Sequence, residues 1–240
     1  MTYDFMLVLG LFAGALSGIV GTGSSIILLP ILVFQFGPKQ AVPIMAVSSV
    51  MANFAKVLAW WREVDWRAFA AYSITGVPAA ALGARTLLAL PAHAVDGALG
   101  LFFLVMIPFR RWLYIRDFRL SLWQLALAGA AIGYVTGIVL STGPLSVPAF
   151  TARGLLKGAF LSTEAAASLA LMVSKVVTFR ESGALPAHIL LQGVIVGSSV
   201  MAGTFVGKAI VQRMSLHTFQ YILDALLLCS GVSLLYAAFT

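Results

Sequence analysis

Eight apolar stretches, at residues 5–36, 41–61, 66–90, 93–113, 120–152, 159–179, 184–212 and 216–239, follow one another with only short polar joints between them. Each is long enough to cross a bilayer as a helix, which takes about 20 residues. Of the 240 residues, 61% are hydrophobic and 10% charged, whereas a soluble domain carries about 25% charged residues. So few charges cannot cover a water-facing surface, and disorder would need the opposite imbalance. The chain is therefore expected to be an all-α integral membrane protein with almost nothing left for an extramembrane domain.

Two stretches, 5–36 and 120–152, are too long for one span, and each is interrupted by a Gly/Ser/Thr cluster followed by proline: GTGSSIILLP (Gly21 to Pro30) and STGPLSVP (Ser141 to Pro148). Gly and Pro lower the cost of leaving the helix and hydroxyls satisfy freed backbone groups, so a broken or re-entrant helix is predicted at both. The breaks also reveal an internal repeat. Gly10, Gly14 and Gly18 recur 119 residues later as Gly129, Gly133 and Gly137, within the strings GALSGIV and GYVTGIV. Pro30 then pairs with Pro148, Lys39 with Lys157, Lys56 with Lys175, Gly83 with Gly207 and His93 with His217. Two copies of about 120 residues follow: a first transmembrane repeat at 1–113, a cytoplasmic linker at 114–119 and a second repeat at 120–240.

Parity decides their orientation. Four full crossings per copy would set both the same way up and divide the cations evenly between the two sides. A re-entrant first segment leaves three full crossings and inverts the copies. One side then holds Arg62, Arg67, Arg110, Arg111, Arg116, Arg119, Arg153, Lys157, Lys208 and Arg213, and the other Lys39, Arg85 and Arg180. The positive-inside rule favours the inverted arrangement, with both termini outside. The net charge of +7 is dispersed between apolar stretches, which suits loops facing membrane lipid and excludes nucleic acid as a partner. No basic region precedes the first apolar run, so it is read as retained.

The GxxxGxxxG stripes are read as helix packing. The clusters after them, Thr22, Gly23, Ser24 and Ser25 in one copy and Ser141, Thr142 and Gly143 in the other, are read as substrate-binding. A half-helix that starts inside the membrane points unpaired N–H groups and a positive dipole end at its ligand, which suits a small anion. The plainer reading is a packed kink capped by its own hydroxyls. Lys56 and Lys175 lie within apolar spans and would add positive potential; snorkelling to the headgroups is the alternative. Ser48, Ser49 and Asn53 can share a face with Lys56, and Ser168, Ser174 and Thr178 offer hydroxyls near Lys175. Glu164 and Asp224, the deepest acids, are candidates to couple a proton or another ion; Glu164 pairing with Lys157 is the structural alternative. The lone Cys229 and three scattered histidines give no metal site, and the tryptophans form an interfacial belt. No HExxH, GxSxG or P-loop is present. No enzyme activity, catalytic residue or cofactor is expected.

The repeated Gly-rich segments followed by proline, and then by Lys39-Gln40-Ala41 and Lys157-Gly158-Ala159, resemble the TauE/SafE sulfite exporter family of bacterial membrane permeases over nearly the entire chain. STGPLSVP stands where that family usually carries a Gly-Gly-like pattern. The resemblance implies a multi-pass protein of the bacterial inner membrane that moves small sulfur-containing anions, such as sulfite, thiosulfate, sulfoacetate or related sulfonates and organic anions. The reading is a secondary transporter, exporting by alternating access with its site between the repeats. A passive anion channel and a non-transporting membrane scaffold are the alternatives. Partners would be the anion, a coupled ion and lipid, with room for a homodimer.

Overall fold

The computed structural model describes residues 11, 28, 32–33, 35–91, 94, 97, 101, 104–105, 108, 119–139, 143–155, 157–211, 228 and 232. Among them the regular structure is helical: α1 (Pro38–Trp60), a 3-10 turn (Trp61–Glu63), α2 (Trp66–Ala89), α3 (Leu122–Val139), α4 (Gly143–Ala152), α5 (Lys157–Glu181) and α6 (Ala187–Val211). Among the described residues three helical spans, Gln40–Leu58, Leu122–Val139 and Gly158–Glu181, are long and apolar enough to cross a membrane. The expected span at 66–90 is realised as α2, which is not one of those three. Its many Gly, Ala, Ser and Thr side chains and the arginines near its ends dilute its hydropathy.

Local chemistry sets the helix ends. Asp65 caps α2 by accepting the N–H groups of Arg67 and Ala68 at 3.0 Å each. The backbone and hydroxyl of Ser121 both donate to Gln124 Oε1 at 2.9 Å, a capping-box contact at the start of α3. α4 and α5 stop at glycines with positive φ, Gly154 (φ 90) and Gly183 (φ 72), a region that side-chain-bearing residues avoid. The next N–H reaches back across each end, Leu155 to Phe150 O at 3.3 Å and Ala184 to Phe179 O at 2.9 Å.

Side-chain contacts give the helix directions. The Asp65 N–H donates to Thr163 Oγ1 at 2.9 Å and Ser174 Oγ to Val77 O at 2.9 Å, so α2 and α5 run parallel. α2 and α3 are also parallel, with Thr75 donating to Ala126 O at 2.5 Å near one end and Gly83 against Gly137 near the other. Gly193 faces Val47, and Gly197 faces Ser48 and Met51, which aligns α6 with α1. α1 opposes α5: it ends in the turn whose Glu63 covers Gly158 at the head of α5, and it starts beside the start of α6, which follows the end of α5. The Glu63 carboxylate there complements the helix dipole.

The segment 120–152 is two helices whose outer ends meet. Leu120 N–H donates to Ala152 O at 2.8 Å, and Arg153 Nη1 to Leu120 O at 3.3 Å. α4 therefore returns to the end of the bundle where α3 began, as expected for a re-entrant break. That end carries Arg62, Arg67, Arg119 and Arg153 with exposed Trp60, Trp61, Trp66 and Trp123, while Arg85 and Arg180 lie at the other.

The stripe Gly129, Gly133 and Gly137 packs backbone to backbone on α2. A Cβ on Gly133 would stand 2.8 Å from Gly76 Cα, and one on Gly83 the same distance from Gly137 Cα. This is the packing role expected of small residues; the matching stripe at Gly10, Gly14 and Gly18 lies outside the described residues. Polarity is inverted relative to a soluble protein. Ser48, Asn53, Thr136, Ser146, Glu164, Ser168 and Lys175 are buried, while Ile74, Leu82, Leu127, Val177 and Leu191 are exposed, as suits lipid.

Candidate functional site

Polar groups gather at two levels of α5. The first lies seven residues into the helix, about 10 Å from its start at 1.5 Å per residue. Glu164 is 3% exposed there, and its Oε1 accepts hydrogen bonds from Ser168 Oγ, one turn along α5, and from Ser146 Oγ on α4, both at 2.8 Å. Ser146 is the fourth residue of α4, so its hydroxyl sits in the first turn of the half-helix. Lys56 on α1 and Tyr72 on α2 lie within Coulombic range of the carboxylate. The Tyr72 ring packs on Phe150 of α4 with centroids 4.9 Å apart, and its buried hydroxyl has no hydrogen-bond partner among the described residues.

The second level lies about 16 Å farther along α5. Lys175 is 0% exposed and donates from Nζ to Thr136 O at 2.7 Å, with the Phe179 ring centroid 5.6 Å away. Thr136 lies in the last turn of α3, where carbonyls lack intrahelical donors and the helix dipole is negative. Lys175 thus caps α3 where it stops short of α4. It does not snorkel.

The remaining candidates divide. Asn53 Oδ1 is 3.4 Å from Lys56 Nζ, so the pair shares a face as expected, and Ser48 and Ser49 are buried on the same helix. Ser174 and Thr178 flank Lys175 in sequence, but their hydroxyls donate to the carbonyls of Val77 and Ser174, each at 2.9 Å. They present lone pairs rather than donors, a poor surface for an anion. Gly143 opens α4. Thr22, Gly23, Ser24, Ser25, Ser141, Thr142 and Asp224 lie outside the described residues, as does the side chain of Lys157, the alternative partner of Glu164.

Comparison with known proteins identifies a family. The family described as "Sulfite exporter TauE/SafE" matches residues 6–234. The chain belongs to the TauE/SafE family. A relative from Bacillus subtilis (strain 168), described as "Probable membrane transporter protein YjnA", is 25% identical over 253 residues, covering 96% of this chain and 98% of its own. No solved structure matches. Membership of the TauE/SafE family makes this protein a membrane transporter.

Sequence reasoning missed three members of the site in this TauE/SafE protein. Ser146 stood in the second break motif, one turn past Gly143, and that spacing could have identified it. Tyr72 carries no signal in its surroundings, and Thr136 acts through its backbone, which no side-chain pattern reveals.

Proposed function

We propose that this protein is a secondary transporter of small sulfur-containing anions, among them sulfite, thiosulfate, sulfoacetate and related sulfonates, and that it exports them across the bacterial inner membrane by alternating access. One observation carries the site assignment: α4 begins within the bundle and returns to the face its segment entered, so its N-terminal N–H groups and dipole end open inside the membrane. Such an end binds an anion without a full buried charge, and the Lys175 ammonium adds positive potential near the end of α3.

The repeats belong to this reading. We take 1–113 and 120–240 as inverted copies joined by a cytoplasmic linker, 114–119, with both termini periplasmic and the protein multi-pass. The opposed directions of α1 and α5, which occupy matching places in the two copies, support it, and so does the division of arginines between the bundle ends. Substrate sits between the copies, where both rearrange around it.

Binding titrations of purified protein with sulfite, thiosulfate, sulfoacetate, a carboxylate and phosphate test the reading. Sulfur oxyanions should bind most tightly, and Gly143→Leu, which adds a side chain at the first residue of α4, should eliminate binding in folded, monodisperse protein. Unchanged affinity in that variant would reduce the break to a structural kink. Saturable flux into liposomes separates a transporter from a channel.

A further inference from the structure

The carboxylate of Glu164 lies against the first turn of α4, the same helix end that the transport reading assigns to the anion. Ser146 holds it there from α4, and Ser168 fixes it from α5. A carboxylate in that place already complements the positive end of the half-helix. A second anion arriving beside it would meet like charge in a poorly screened setting, and two such charges a few ångströms apart do not share a site.

We propose that Glu164 is a resident anion that a substrate displaces electrostatically by taking up a proton, so that one proton binds with each anion. The proton adds to the carboxylate from water and no bond to substrate forms. The neutral carboxyl can keep its contacts with Ser146 and Ser168, while the positive end of α4 passes to the substrate. One proton then crosses with each anion, a proton–anion symport in which a dianion such as thiosulfate still carries one net negative charge outward. Among the described residues, the titratable groups within Coulombic range of Glu164 are Lys56 from α1 and Tyr72 from α2, and α4 contributes the hydroxyl of Ser146. The Tyr72 hydroxyl, unpartnered among the described residues and in a side chain 1% exposed, is a buried donor in the same field.

This inference rests on the anion-transport reading, and its test separates the two. Thiosulfate stays fully ionised through the neutral range and serves as the probe. Calorimetric titration of wild-type protein in two buffers of different ionisation enthalpy counts the protons taken up; one per thiosulfate is expected over the range where Glu164 is charged, and none would overturn the proposal. Over that range affinity should rise about tenfold for each pH unit lowered. Glu164→Gln should bind without proton uptake and with no pH slope; a variant that keeps the wild-type slope also overturns it. Infrared spectra without anion supply the independent arm. A protonated-carboxyl band that grows on acidification in wild type and is missing in Glu164→Gln, with every anion silent, would keep the proton site and remove the anion reading. Absence of that band in wild type sinks the proton site whatever the anions do.

Discussion

Lys175 and Lys56 occupy matching places in the sequence but different surroundings, and their substitutions should behave differently. Lys175 has no exposed surface and its ammonium completes the end of α3. Lys175→Met leaves Thr136 O without that donor, so it should lower stability by about 1.5–3 kcal/mol, the range for hydrogen bonds to charged groups, and also abolish anion binding. Lys175→Arg should fare no better, because a longer planar head has no room in a site packed against Phe179. Lys56 is half-buried and its contact with Asn53 is long at 3.4 Å. Lys56→Met should therefore raise the apparent substrate constant several-fold and lower the unfolding midpoint less than Lys175→Met does, and Lys56→Arg should be tolerated. Thermal unfolding paired with binding titration checks all four variants. Equal behaviour at the two positions would show that the burial of Lys175 has no functional weight.

At the scale of elements, α2 and α3 depend on side chains that are not there. Gly133→Leu would drive its side chain into the backbone of α2 at Gly76. A loss of about 1–3 kcal/mol or more is expected from such overpacking, measured as a lowered midpoint of thermal unfolding in detergent. In Gly154→Leu the added Cβ meets nothing within 4 Å among the described residues but sits at φ 90, so its cost is backbone strain at the end of α4 and should be smaller. The order of the two midpoints is the check. These elements were largely legible in the sequence: the small-residue period, the capping pair Ser121 and Gln124, and the Gly/Pro break are local signals. The Glu164 cluster was less so. The spacing of Glu164 and Ser168 places them on one face, but Ser146 and Tyr72 reach the carboxylate from helices far away in sequence. Nothing local encodes which of several buried hydroxyls an acid will meet.

For the whole molecule, the division of cations between the ends of the bundle orients it. Reporter fusions should place Asp117 in the cytoplasm and Thr240 in the periplasm; a cytoplasmic C-terminus would rule out the inverted arrangement. The bond between Leu120 and Ala152 has a bearing on biosynthesis as well. A segment whose two ends stay on one face carries no hydrophilic loop that must be hauled through the lipid. It can enter as a wedge, tip first, after its flanking spans are already seated. Its late arrival would complete the bundle only in the last moments of assembly, and the same clasp that finishes the protein would then hold the base of the segment fixed.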